Sequence, residues 1–465
     1  MKAPSGGKRI TKGWLEFMLA EHESRERPGT RVSVADFAVR QGIPPGEGFN
    51  SDLVLVDVTA ELSNGPGEAQ EKTYHLAAKF LHADPFAAEI NRRFQSHIKE
   101  LRMYAEVVHE LNAFLAARVP EESPICIPNM IYGKENGSEY VLVMENIKAA
   151  GYMTNDKRKG LDVKHVMRSV EEIAKVHAVS YAYNKAHNFL EKFPCYQFKA
   201  EYLNVIPAFL KFSLKNCVAC LNTVKGKEEL AKKVENAYPI LSKKFYALHD
   251  YFGNACLCHG DFWNCNIMFK YQQHDDDQEQ TLEGIKLIDW GNSSWHNPMI
   301  DLQYLLHTST TLELRKTHID DILQKYHTVF TSLTTKLGAP LPHYSYSAFR
   351  EDWDRTAIYG FILGNITIQG TLSTTYSGNK PQGPSVLDHG ALTPIRLVVN
   401  SIKTGMAKLI GPIILGPNGA KYMGMFVGSM LKPIQREILS GTNEILNARL
   451  LDALCEADEK GLFDE

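Results

Sequence analysis

Apolar residues recur at two different spacings along the chain. Between Thr11 and Glu23 they fall on one helical face, with Trp14, Leu15, Met18 and Leu19 together, and Pro28-Gly29 closes the segment. The run from Ser51 to Thr59 is apolar and β-branched and predicts a strand. A turn through Ser63-Asn-Gly-Pro-Gly67 leads to a returning strand over Thr73–Phe80. From Glu89 to Leu115 the step changes to three and four residues, through Ile90, Phe94, Ile98, Leu101, Tyr104, Val108 and Leu111. That spacing predicts one long helix. Tyr140–Met144 predicts a further strand, followed by Glu145-Asn-Ile147. Beyond it the patterns are mostly helical, at Val163–Tyr183, Leu203–Phe212 and Glu228–Phe252. The expected fold is therefore α+β, with a strand-rich first part and a largely helical remainder. The expected division is a helical extension over 1–29, a first lobe over 30–145 and a second lobe over 146–465. Gln272–Gln280 and Thr374–Gly390 read as polar loops.

Composition narrows the function classes. The 465 residues include 51 Lys+Arg and 54 Asp+Glu, a net charge of −3. A nucleic-acid binder needs a basic excess or patch to meet phosphates, so nucleic acid is not an expected partner. At 44% hydrophobic and 23% charged, the chain can build a sizeable core. Eight cysteines in this length are not a disulfide framework, and Cys217-Val-Ala-Cys220 has no second pair to complete a zinc site. Met1–Trp14 lacks the apolar core of a signal peptide. The most apolar stretch, Met406–Leu431, is broken by Lys408, Pro412, Pro417 and Lys421 and is too interrupted to span a membrane. A cytoplasmic monomer with free thiols is the expectation.

The chemistry concentrates in Cys258-His-Gly-Asp-Phe-Trp-Asn-Cys-Asn-Ile-Met-Phe269. His259 and Asp261 form an HxD, and Asn266 follows five residues after the Asp. The strand Ile285–Ile288 then ends in Asp289-Trp-Gly291. HxDxxxxN followed by a strand and DxG is the spacing of a kinase-like catalytic loop and metal loop. Phosphoryl transfer needs an oriented carboxylate for the acceptor hydroxyl, which Asp261 would supply. It also needs a divalent cation on the phosphates, which the Asp289 carboxylate and the Asn266 amide oxygen would hold. His259 reads as packing and hydrogen-bonding this loop.

That reading places demands on the first lobe. Lys79, on the returning strand, is placed to reach nucleotide phosphates, and Glu100 on the next helix would pair with it, with Glu89 the weaker choice. Gly46, Gly48 and Ser51 would form a phosphate-covering loop, although no Walker A motif is present. Glu145 to Ile147 would connect the lobes and offer backbone groups to a nucleobase. Asp301, twelve residues after Asp289, is expected to brace the catalytic loop by accepting backbone hydrogen bonds. Trp295, Tyr304, Tyr359 and Phe361 could line an apolar acceptor pocket or pack in the core.

These residues resemble the ecdysteroid kinase-like family, which is related to choline kinases and aminoglycoside phosphotransferases. The segments that carry the resemblance are Glu139–Asn146, Ile173–Ser180, His259–Phe269 and Lys286–Gly291, with support from Tyr359-Gly-Phe361 and Arg449–Leu462. The family often has Asp-Phe-Gln where this chain has Asp289-Trp-Gly291, and a second Asn at the position of Cys265. The resemblance implies a two-lobed protein kinase-like fold that uses ATP and Mg²⁺ to phosphorylate a small-molecule hydroxyl, such as that of a steroid or a xenobiotic alcohol. It places the family's catalytic Asp on Asp261 and its metal-binding residues on Asn266 and Asp289. A catalytically inactive kinase-like binding protein and a choline- or aminoglycoside-type kinase are the alternatives. A protein kinase is disfavoured, because Asn292–Asp301 leaves too little chain for an activation segment and no Ala-Pro-Glu follows it.

Overall fold

The computed structural model describes residues 1–42, 51–64, 69–81, 85–137, 139–199, 206–248, 250–272, 281–375 and 419–464. Gly46, Gly48, the acidic run from 273 to 280 and most of the segment from 374 to 432 lie outside the described residues. The sequence begins with helix α1 (Lys12–Glu23), whose first turn is capped by the Thr11 hydroxyl accepting from Trp14 N–H at 3.3 Å. Strands β1 (Arg31–Gln41), β2 (Ser51–Ser63), β3 (Ala69–Leu81), β4 (Met130–Glu135) and β5 (Tyr140–Glu145) then form an antiparallel sheet in the order β1-β2-β3-β5-β4.

Strand alternation sorts the side chains of β3. Tyr74, Leu76, Ala78 and Phe80 point to one face and join a buried cluster with Trp14, Leu15, Met18 and Leu19 of α1. Lys79 therefore points to the other face, opposite Leu53 of β2 and Leu142 of β5 in the register. The apolar stripe of the first helix and the alternation of the third strand thus place Lys79, the buried charged residue of the strand, on the side away from that cluster.

The long helix expected over Glu89–Leu115 is interrupted. It consists of α2 (Pro85–Phe94), α3 (Ser96–Arg102), a π-helical turn (Met103–Val107) and α4 (Val108–Ala116). The break falls at Gln95, which adopts a left-handed conformation with φ 56°. Lys199 holds the break, donating to Arg93 O and to Gln95 Oε1, both at 3.1 Å. The three- and four-residue spacing survives because each piece is helical; only the axis changes.

After β5 the chain becomes mainly helical, through α5 (Val163–His187), α6 (Phe189–Lys192), α7 (Ile206–Leu221), α8 (Glu228–Asn236) and α9 (Tyr238–Leu248). Two short pairings follow, β6 (Cys256–Cys258) with β9 (Ser294–His296) and β7 (Ile267–Tyr271) with β8 (Leu282–Leu287). Helices α10 (Met299–Ser309), α11 (Leu312–Lys336), α12 (Tyr346–Leu372), α13 (Gly419–Ser440) and α14 (Glu444–Glu459) complete the lobe. This is a two-lobed, kinase-like α+β fold, as the sequence patterns lead one to expect. Among the described residues, no helix is long and apolar enough to cross a membrane.

Two features lock the helices around the catalytic segment. The first is a close crossing of α10 and α12. A Cβ at Gly360 would lie 2.4 Å from His307 Nδ1 and 2.6 Å from Gln303 Oε1, and one at Gly364 would lie 2.8 Å from His307 Cβ. The second is a buried polar tie. His177 of α5 meets Asp301 of α10 at 3.1 Å through Nε2 and the Tyr326 hydroxyl of α11 at 2.8 Å through Nδ1. Burial alone would lower the His177 pKa, but the hydrogen bond to Asp301 and the neighbouring Cys258 raise it to about 9.

Gly360→Ala is expected to cost about 1–3 kcal/mol of stability, because its methyl group has no room between the two helices; a thermal melt matching wild type would show that the crossing is looser than described. His177 also gives stability a pH dependence. A pKa raised in the folded state contributes stability that is complete below about 6.5 and is lost as pH rises toward about 9. Urea unfolding between those pH values should show a loss of up to ~3 kcal/mol that is absent in His177→Gln. Equal pH slopes for the two proteins would remove His177 as the source.

Candidate active site

The catalytic segment starts at the end of β6, where the chain turns sharply. Gly260 has φ 76°, and a Cβ there would lie 2.2 Å from Asn292 O, so only glycine fits the turn. The Asp301 carboxylate accepts both backbone N–H groups of this turn, from His259 at 2.6 Å and from Gly260 at 2.9 Å. The bracing role expected of Asp301 is thus present in the geometry.

His259 is fully buried, and both its ring nitrogens meet backbone. Nε2 lies 3.0 Å from Ile288 O, and Nδ1 receives Asp261 N–H at 3.4 Å. Burial pushes its pKa down, so the ring is neutral, with its proton on Nε2. The ring packs against buried Trp290 at a centroid distance of 4.4 Å. His259 therefore joins the catalytic loop to the strand that delivers Asp289.

Asp261 is half-buried and Asn266 buried. Asn266 Nδ2 donates to Asp261 O at 2.9 Å and to Asp261 Oδ2 at 3.0 Å. Both amide protons are thereby committed, and the Asn266 amide oxygen is directed away from Asp261. Burial, and next the nearby Asp289 carboxylate, push the Asp261 carboxyl up to about 7. Asp289 itself stands in the left-handed region, φ 67° and ψ 61°, directly after Ile288, whose N–H donates to Asn266 O at 3.0 Å. Strand pairing of β7 with β8 thus carries Asn266 and Asp289 to the same place.

From the first lobe, Lys79 Nζ meets Glu100 Oε1 at 2.5 Å and Asp289 Oδ1 at 3.2 Å. Burial works against the Lys79 charge, but Asp289 and Glu100 more than offset it, and the ammonium is held well above its ordinary pKa. Glu100 is delivered by α3, which packs on the segment after Asp289; a Cβ on Gly291 would lie 3.3 Å from Ser96 O. Glu89 instead faces Arg92 one turn away on α2. Lys79 thus contacts both Glu100 and Asp289, and the backbone bond from Ile288 to Asn266 sets this trio beside the bonded pair Asn266 and Asp261.

The connector is set by backbone pairing. The Glu145 side chain is occupied by Asn129, whose N–H donates at 3.1 Å, and by Lys286. Asn146 N–H donates to His75 O at 2.8 Å, and Ile147 O accepts from Ala150 and Tyr152 N–H. Among the described residues, no acceptor pairs with Ile147 N–H. The backbone of Ser51 opens β2; the glycines before it are not described.

Of the four aromatic residues singled out in the sequence, Trp295 and Phe361 are core. Trp295 stacks on Phe189 at 5.0 Å, and Phe361 packs on Phe463 at 5.3 Å. Tyr304 and Tyr359 are half-buried, and the Tyr304 hydroxyl reaches Thr367 Oγ1 at 2.8 Å. Thr367 and the His177–Tyr326 contact carry no local sequence signal; they are brought to the site by helix crossings. His177 also lies in a buried group with Cys256 and Cys258, whose ligand atoms are within 4.8 Å of one another. Both imidazole nitrogens are already engaged by Asp301 and Tyr326. That group supports the loop and does not read as a metal centre.

No curated protein matches the sequence. Three solved structures align at low similarity. The GDP complex of a point mutant of aminoglycoside 2'-phosphotransferase-IIIa aligns at a TM-score of 0.36 and 12% identity, covering 88% of this chain and 100% of that one. An aminoglycoside phosphotransferase from Alicyclobacillus acidocaldarius subsp. acidocaldarius DSM 446 aligns at 0.31 and 11% identity, covering 76% and 89%. The GDP complex of wild-type aminoglycoside 2'-phosphotransferase-IIIa aligns at 0.30 and 13%, covering 77% and 99%. The model of the ecdysteroid kinase-like family matches residues 45–339, more than half of the chain, and the protein belongs to that family.

Proposed function

We propose that the protein is an ATP- and Mg²⁺-dependent small-molecule O-kinase that transfers the γ-phosphoryl group to an alcohol. The observation that carries this reading is the chain of contacts from Glu100 through Lys79 to Asp289, together with Asn266 bonded to Asp261. A structural ion pair would need only Lys79 and Glu100. The third contact, to a carboxylate at the end of a strand in the other lobe, is what a phosphate-handling site requires.

The donor set fits a small hard cation. Asp289 offers a carboxylate and Asn266 an outward amide oxygen, both hard ligands, with no sulfur or imidazole among them. When bound, Mg²⁺ would supply charge neutralisation for the phosphates. Lys79 would hold nucleotide phosphates, with Glu100 fixing its position. The Ile147 N–H and the backbone C=O of Glu145 would read the nucleobase, and Gly46, Gly48 and Ser51 would cover the phosphates. Asp261 would orient the acceptor hydroxyl and take its proton as the new O–P bond forms and the bond to the ADP oxygen breaks. His259 acts as a positioning residue, because its ring nitrogens are spent on backbone.

The acceptor side favours a neutral, apolar alcohol. Tyr359, Leu363, Ile366 and Thr367 form a half-buried stripe on α12. From Thr356 to Leu372 the helix carries no acidic residue. A choline or a polycationic aminoglycoside needs carboxylates or an acidic aromatic cage around it, and this stripe supplies none. A steroid or xenobiotic alcohol suits it. A cytoplasmic monomer suits the eight cysteines, all free thiols.

The direct test is phosphoryl transfer from radiolabelled ATP to a panel of steroid alcohols, phenolic glycosides, choline and an aminoglycoside. Transfer to the neutral compounds is expected. Asp261→Ala should lower turnover by ~10²–10⁴-fold, and wild-type turnover in that variant would take the acceptor-orienting role away from Asp261. Asp289→Asn keeps a residue that tolerates the left-handed backbone but removes the charge. It should weaken binding of ATP in the presence of Mg²⁺ and leave binding of metal-free ATP nearly unchanged; equal loss of both would move the cation elsewhere.

A further inference from the structure

In the helical lobe a half-buried phenol, Tyr304, faces the catalytic loop. On α10 every residue from Met299 to Ser309 is buried except Tyr304. Its hydroxyl faces the Asp261 carboxylate and interacts with it electrostatically on one side, and lies 2.8 Å from Thr367 Oγ1 of α12 on the other. In the ionised state of Asp261, the state that takes the acceptor proton, the carboxylate only accepts, so Tyr304 turns its single proton toward Asp261. The phenol oxygen can then only accept from Thr367, whose hydroxyl must be the donor. In that state the relay runs in one direction: Thr367 to Tyr304 to Asp261. Asn266 Nδ2 fixes the carboxylate from the other side, on Oδ2 at 3.0 Å.

We propose that Tyr304, held by Thr367, is a positioning residue that sets the orientation of Asp261 toward the acceptor hydroxyl, and that this pair couples the acceptor-facing stripe of α12 to the phosphoryl-transfer site. The inference rests on the O-kinase reading above and deepens it. Three observations support it. Tyr304 is the one residue of α10 turned out of the core at the level of the catalytic loop. Thr367 lies on the same half-buried face of α12 as Tyr359 and Leu363, so an acceptor laid along that face would touch the relay's first member. The α10–α12 crossing that holds the two hydroxyls together is fixed by Gly360 and Gly364, against which α10 packs through His307. In the transfer step the acceptor oxygen bonds to the γ-phosphorus, the bond from that phosphorus to the ADP oxygen breaks, and the acceptor proton passes to Asp261. Tyr304 and Thr367 keep their protons throughout.

The experiment compares wild type, Asp261→Ala, Tyr304→Phe, Thr367→Val and Thr367→Ser. The readouts are kcat and the KM for ATP, with a neutral polyhydroxylated steroid as acceptor, or water (ATP hydrolysis) where no alcohol is phosphorylated. Tyr304→Phe is expected to lower kcat by about 10- to 100-fold, the range for loss of a hydrogen bond to a charged group, with the KM for ATP unchanged. Thr367→Val should show a several-fold loss in the same parameter, and Thr367→Ser, which keeps the donor, should match wild type. A fold defect would instead change both parameters and the melting temperature, and would not be rescued by serine. If Tyr304→Phe and both Thr367 variants turn over like wild type while Asp261→Ala is inactive, the relay is wrong and the kinase reading stands. If wild type and Asp261→Ala are indistinguishable, the kinase reading fails and the relay falls with it.

Discussion

Two backbone N–H groups, those of His259 and Gly260, end on the carboxylate of Asp301, which is buried and also faces His177. The loop that carries Asp261 and Asn266 hangs from this point. A carboxylate in the interior is costly unless it is bonded on all sides. Here it receives two amide protons and the edge of an imidazole whose pKa it raises. The same carboxylate that needs these partners gives the loop between β6 and β7 one conformation. Gly260 is the steric counterpart of that bonding, since the turn it permits brings the two amides onto one side chain.

The second constraint runs between the lobes. Lys79 and Glu100 are both buried, and desolvation of such a pair offsets much of its attraction. The pair gains from Asp289, which adds a second negative partner to the lysine at 3.2 Å. Two carboxylates from a helix and a loop then share one lysine from a strand in a small volume, and burial pushes the Glu100 carboxyl up. That balance is unfavourable for an isolated structural cluster, and a bound cation would relieve it.

Much of this was legible in the sequence because it rests on short-range spacing. Asp261, Asn266 and Asp289 are placed by one turn and one strand pair, so a linear motif captures them. Lys79 was legible as the lysine on the returning strand that the kinase-like motif demands. Asp301 was legible as a brace from its place twelve residues after Asp289, one short strand and one turn beyond it. Where sequence reasoning stopped, the cause was tertiary. The unbroken helix expected over Glu89–Leu115 divides at Gln95, because docking of α3 onto the segment after Asp289 outweighs straight propagation. Tyr304 and Thr367 are separated by 63 residues and meet only because two glycines let their helices cross closely. Trp295 and Phe361 look like pocket residues by type alone, and their burial is decided by Phe189 and Phe463, which no local pattern announces.

The left-handed backbone of Asp289 has a consequence for how this position can change over evolutionary time. Only glycine, asparagine and aspartate adopt that conformation at little cost. Of the three, only aspartate brings an anionic oxygen. Under the O-kinase reading, steric and chemical selection act on the same site with different permitted sets, and those sets overlap in a single residue. A descendant that abandoned catalysis would be freed from one filter and still held by the other. Its expected replacement is asparagine or glycine, so the identity of this one residue would separate a retired member of the family from a merely divergent one.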